Sequence, residues 1–133
     1  MNMAELAEKW LAKAENDLLV SRHVLFHLKP RQIDISCYHS QQCGEKSLKA
    51  FLAAQGLDPP RTHDLVSLCQ KCADVENGFL TLLGDCADLT IHGVTTRYPY
   101  EMETSPEDAE AALENADRVY QYVLRKIRLL DKA

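Results

Sequence analysis

No apolar run in these 133 residues approaches the roughly 20 consecutive residues that a bilayer-spanning helix needs. The opening segment MNMAELAEKW has no apolar signal-peptide core either, so a soluble, cytoplasmic protein without a membrane partner is expected. Glycine-rich phosphate loops, His-Glu-x-x-His and Gly-x-Ser-x-Gly are all missing, and with them the usual sequence signs of P-loop, zinc-protease and serine-hydrolase chemistry. Positive charge is the scarcer sign: 15 Lys and Arg stand against 20 Asp and Glu, for a net charge of −5. That balance disfavours bulk attraction to nucleic acid or anionic lipid, and leaves only a local basic patch to hold an anion. No β-type alternation, internal repeat or low-complexity tract occurs.

What is present is an ordinary globular mix, 46% hydrophobic and 26% charged, of a length that suits one domain spanning residues 1–133. The five cysteines (Cys37, Cys43, Cys69, Cys72 and Cys86) are odd in number and lack an export signal, so reduced thiols are expected. From Ala4 to about Leu28, Leu11, Ala14, Leu18, Ser21, Leu25 and Leu28 recur at helical spacing, with Leu6 and Trp10 widening the seam. Pro30 ends that helix. A second helix runs from about Asp34 to Gln55. It is apolar on several sides and wetted only along Gln41, Gln42, Glu45, Lys46 and Lys49, which suits a central place in a bundle. Gly44 inside it implies close approach of another backbone, and Gly56 marks its end.

A shorter third helix is expected after Thr62 as N-cap, and a fourth from about Phe79 to Ile91, beyond a break at Asn77-Gly78. HGVTTRYPYEMETS then has no helical period, and loops of that length inside a compact domain are often functional. Ser105, Pro106 and Asp108 start the last helix with a capping box and a proline at the first position. Its buried stripe is Ala109, Ala112, Leu113, Ala116, Val119, Tyr120, Val123, Ile127 and Leu130. Four main helices and one short one predict an all-α, antiparallel up-and-down bundle.

Cys69-x-x-Cys72 near His63 has the spacing of a zinc half-site, but structural zinc needs four ligands and no second pair exists. The cysteines are therefore assigned to the core, and neither metal nor cofactor is expected. Two other features suggest chemistry. One is the stripe Gln42, Glu45, Lys46, Lys49, which could equally be a solvated face with an internal Glu–Lys pair. The other is Arg97-Tyr98-Pro99 in the long loop. Together with His63 they offer a guanidinium, an aromatic face and ammonium groups to a phosphorylated ligand, with Glu45 orienting the lysines.

Trp10-x-x-x-Ala14-x-x-Asp17-Leu18, the stretch CYHSQQCGEKSLKAFLAAQG from Cys37 to Gly56, Thr62-His63-Asp64-Leu65 and Arg97-Tyr98-Pro99 occur in the order in which similar motifs occur in HEPN (higher eukaryote and prokaryote nucleotide-binding) domains. The chain resembles that family over nearly its whole length. The resemblance implies a helical bundle that forms homodimers and partners a minimal nucleotidyltransferase in a toxin–antitoxin-like pair. Family members bind nucleotides or act as metal-independent ribonucleases. The ribonuclease branch uses an Arg-x(4–6)-His motif near a late helix, whereas here no histidine follows Arg97 and Arg22 with His27 fits only in the first helix. Catalytic residues are accordingly left unassigned. The expected function is binding of a nucleotide or other phosphorylated small molecule, or of the nucleotidyltransferase, through Gln42, Glu45, Lys46, Lys49, His63, Arg97 and Tyr98. The alternative is a metal-independent ribonuclease toxin.

Overall fold

The computed structural model describes residues 1–93 and 104–132, and among them there is no strand. Five α-helices follow one another: α1 (Met3–Phe26), α2 (Ile33–Ala54), α3 (Leu65–Val75), α4 (Leu83–Thr90) and α5 (Pro106–Asp131). Asn2 caps α1 by accepting the Glu5 N–H at 2.8 Å. The helix ends at Phe26, short of the expected Leu28. The chain turns back there: Gln32 N–H donates to the Val24 carbonyl, and Arg31 Nε to the Leu25 carbonyl at 2.8 Å. Those bonds satisfy carbonyls that the helix end would otherwise leave open, and Leu28 stays exposed instead of joining the seam.

α2 is the central element, in contact with α1, α3, α4 and α5. Its direction relative to α1 follows from side-chain pairs. Trp10 meets Lys49, Asp17 meets Lys46 and His39, and Ser21 meets Ser40 and Ser36, so the two helices run antiparallel. α5 returns along α1 in the same sense: Arg128 pairs with Glu8, Tyr120 with Glu15 and Arg31 with Glu110. Gly44 faces side chains rather than a backbone. A Cβ there would lie 2.8 Å from Leu65 Cδ2 and 3.0 Å from Leu89 Cδ1, so this glycine lets α3 and α4 close on α2. At the far end, Gly56 adopts φ 76°, and Leu57 N–H reaches the Leu52 carbonyl at 2.9 Å. Glycine takes that left-handed turn without strain, and the bond closes the helix.

The N-cap of α3 is Asp64, not Thr62. Asp64 Oδ1 accepts from Val66 N at 3.0 Å and Ser67 N at 3.3 Å, while Thr62 Oγ1 accepts from Asp64 N one step upstream. The segment expected as a single fourth helix is divided. Asn77–Leu82 forms a 3-10 helix, and α-helical geometry begins only at Leu83. Three residues per turn puts Phe79 and Leu82 on one line, and both are buried. Phe79 then stands 4.5 Å from Phe51 and 4.8 Å from Tyr122, ring centre to ring centre. The capping box of α5 is formed as expected, with Ser105 and Asp108 exchanging hydrogen bonds at 3.1 Å. Its stripe is buried through Ile127, but Leu130 is exposed, lying in the final turn. All five cysteines are free thiols in the core. Cys69 and Cys72 donate to the Phe79 and Leu48 carbonyls at 3.2 and 3.6 Å. Burial pushes the Cys37 and Cys43 thiols up to about 12. No helix among the described residues is long and apolar enough to cross a membrane.

Candidate functional site

One edge of α2 carries two similar constellations, each built around a buried carboxylate. In the first, Asp17 of α1 accepts His39 Nδ1 at 2.8 Å and Lys46 Nζ at 2.7 Å. In the second, Glu45 accepts His63 Nδ1 at 2.8 Å on one oxygen and Lys49 Nζ at 3.1 Å on the other. Glu45 is only 4% exposed and Lys49 7%, so these two members of the stripe do not lie on the solvated face that its polarity suggested, while Gln42 and Lys46 stay partly exposed. A buried carboxylate is costly unless paired and hydrogen-bonded, and here every oxygen has a donor. Gln41 Nε2 adds a bond to Glu45 Oε1 at 3.3 Å and one to the His63 carbonyl at 3.4 Å; Gln42 Nε2 donates to Gln41 Oε1 at 2.6 Å.

Local structure explains the assembly. Glu45 and Lys49 are one helical turn apart, which places them side by side. His63 comes from the connector that enters α3, held there by the Gln41 bond to its carbonyl. Lys49 also lies 5.5 Å from the centre of the Trp10 ring, within cation–π range. A depression of about 420 Å³ opens at this point, lined among others by Trp10, Lys49, Asp58, Arg61 and His63. That volume lies in the range of small-molecule sites. A second depression of about 410 Å³ lies on the other side of His63 and includes Tyr38, Gln41, Gln42, Asp64 and Thr90. His63 is the member common to both, and its side chain is 82% exposed. With Nδ1 turned to Glu45, Nε2 is the ring nitrogen left to meet a ligand.

Of the residues singled out in the sequence, Glu45, Lys49 and His63 are brought into direct contact, and Gln42 joins them through Gln41. Lys46 is directed to Asp17 in the neighbouring constellation. Arg97 and Tyr98 lie outside the described residues. Sequence reasoning missed Arg61, Asp58 and His39 and gave Asp17 no site role. Asp17 had a usable signal: it falls between Ala14 and Ser21 on the apolar seam of α1, where an acid demands partners. Arg61 and Asp58 had none, because only the fold carries their connector to Trp10. Among the described residues, no three His, Cys, Asp or Glu side chains group in a way that would hold a metal ion.

Five helices packed around α2, with a polar cleft beside it, define the chain as an all-α helical bundle. A model of the HEPN domain matches residues 7–127, and the chain belongs to that family. It is 30% identical to the "Putative toxin MJ1304" of Methanocaldococcus jannaschii, over 88% of this chain and 85% of that protein. Among solved structures, it resembles ST0689, an archaeal HEPN homologue, at 27% identity and a TM-score of 0.71, covering 91% of this chain and 97% of the other. The fold is also that of TT1696 from Thermus thermophilus, at 24% identity and a TM-score of 0.76, covering 95% and 99% of the two chains.

Proposed function

We propose that the protein is the toxin-type member of a toxin–antitoxin-like pair, a HEPN module that binds a nucleotide or other phosphorylated ligand and is controlled by a minimal nucleotidyltransferase partner. Family membership and the likeness to a protein named as a toxin support the first part. One observation supports the second: Lys49 and His63, both fixed on the buried Glu45, border one depression together with Arg61 and Trp10. A guanidinium and an imidazole suit phosphate oxygens, and an indole suits a planar base. Glu45 cancels one of the positive charges, so Lys49 serves mainly to hold Glu45, and Arg61 and His63 are the groups that meet the anion.

A thermal-shift screen against nucleoside mono-, di- and triphosphates tests this reading. A ligand present at a hundred times its dissociation constant adds about 2.7 kcal/mol to stability. The expected result is a rise in melting temperature for the wild type that disappears in an Arg61→Ala/His63→Ala double variant. Both residues are exposed, so that variant keeps its fold. A screen that stays flat for every phosphate compound rejects ligand binding and leaves the protein partner as the function of this face.

A further inference from the structure

The outer face of α1 changes character along its length. Its first turns present Glu5, Glu8 and Lys9 to solvent. Further along, the same stripe continues as Leu19, Val20, His23, Phe26 and His27, all exposed and none with a fixed charge. The two histidines stand one helical turn apart. The helical bond from His27 N–H to the His23 carbonyl, at 2.8 Å, holds that spacing through the end of the helix. Their rings stack with centres 5.6 Å apart and planes 30° from parallel. Among the described residues, no ring nitrogen of either has a hydrogen-bond or ion-pair partner.

Two imidazoles at i and i+4 on one helix face are a chelating pair for a divalent transition metal. With Zn–N bonds of about 2.0–2.1 Å, two nitrogens on a tetrahedral zinc lie about 3.3 Å apart. Exposed side chains reach that separation by turning about their own torsions, without moving the helix. The pair also sits at the C-terminal end of α1, where the macrodipole favours a cation. Of the positive neighbours, Arg31 is engaged with the Leu25 carbonyl, Phe26 and Glu110. Arg22 and Lys29 are exposed, so water and salt screen them. Magnesium and calcium, which prefer oxygen, gain little from two nitrogen ligands.

Two ligands are half of what a tetrahedral zinc takes, and no third His, Cys, Asp or Glu completes the set among the described residues. A two-fold axis through the metal would bring the same pair from a second copy. The surface around the pair suits that occupant, because Leu19, Val20 and Phe26 are apolar and exposed. A face without fixed charge meets its own copy without like-charge repulsion. We infer that His23 and His27 form half of a zinc site that is completed by the same two residues of a second copy. An imidazole-binding divalent cation then joins two molecules through the outer faces of α1.

The experiment is light scattering on the full chain during size-exclusion chromatography, in chelator and then with zinc in the running buffer. Zinc should raise the molar mass about twofold over its value in chelator, as a two-fold axis requires. Calorimetric titration should give one zinc per two chains, and chelator should reverse the change. The variant His23→Ala/His27→Ala alters only exposed side chains, so it should keep the mass found in chelator and lose the response to zinc. A response that persists in this variant places the metal at other residues and overturns the assignment. One zinc per chain with no rise in mass overturns completion by a second copy, and no response to zinc overturns the site altogether. An equal rise with magnesium also overturns it, since charge and not imidazole would then drive the pairing.

Discussion

At the scale of single residues, the decisive feature is Glu45. Its carboxylate is buried on the central helix, accepts from Lys49, His63 and Gln41, and so ties α2 to the connector before α3. Removing one member of a buried ion pair leaves the other charge desolvated and unpaired, which costs about 3–5 kcal/mol. Glu45→Ala should therefore lower unfolding stability by about that amount, because Lys49 loses its counter-ion. His63→Ala should cost less than about 1 kcal/mol, since its side chain is mostly in water. Urea unfolding of the two variants checks both. Similar losses would mean that Glu45 is not the hub of the cluster. For the same reason Lys49→Ala confuses loss of fold with loss of binding, and Arg61 and His63 are the better positions at which to test the ligand.

At the scale of elements, α2 is held by what its neighbours can approach. Gly44 is the clearest case. Alanine there would gain up to about 1 kcal/mol of helix propensity. Its Cβ would also stand 2.8 and 3.0 Å from the Leu65 and Leu89 methyl groups, both on buried residues. Overpacking of that kind typically costs about 1–3 kcal/mol. Gly44→Ala should then lower the melting temperature despite the better propensity, and an unchanged or raised value would show that α3 and α4 yield without cost. The 3-10 helix at Asn77–Leu82 belongs to this scale too. Residues 79 and 82 were legible as buried, but helical spacing at 79, 82, 83 and 86 did not distinguish three residues per turn from 3.6. Glu76 caps this turn by accepting from Gly78 N at 3.2 Å, and its other oxygen accepts from Tyr122 Oη at 2.6 Å, a bond that depends on where α5 lies.

For the molecule as a whole, the same Glu76 bonds and the burial of His92 set a direction for pH dependence. The Tyr122 hydroxyl holds the Glu76 carboxyl below its ordinary value of 4.5, and burial holds His92 below 6.5. In both cases the unfolded chain binds more protons than the native one between the native and the ordinary value. Each group's contribution is thus present above its ordinary value and is lost as pH falls toward the native one. His92 should weaken the fold as pH drops below about 6.5, and Glu76 below about 4.5. Denaturant titrations from acid to neutral pH should show His92→Gln with a shallower loss in the upper window and Glu76→Gln with a shallower loss in the lower. If neither slope changes, other groups carry the acid sensitivity.

The sequence by itself determined the helices, their order and the all-α class, because apolar spacing, Gly56, Pro106 and the Ser105–Asp108 box act over a few residues. It also placed the cysteines in the core and named Glu45, Lys49 and His63 as partners in chemistry. The tertiary structure decided which polar residues stay wet. Glu45 and Lys49 lie on a polar stripe whose helical spacing matches that of a solvated face, yet both are buried, Lys49 against Trp10 of α1 and Glu45 against His63 of the connector before α3. It also divided the lysines, sending Lys46 to Asp17 and Lys49 to Glu45. Arg61 and Trp10 reach one cleft although the rest of α1 and all of α2 separate them along the chain. Short-range spacing fixes a helix and its caps; burial and charge pairing are settled by contacts between residues far apart in sequence, and those exist only once the bundle has closed.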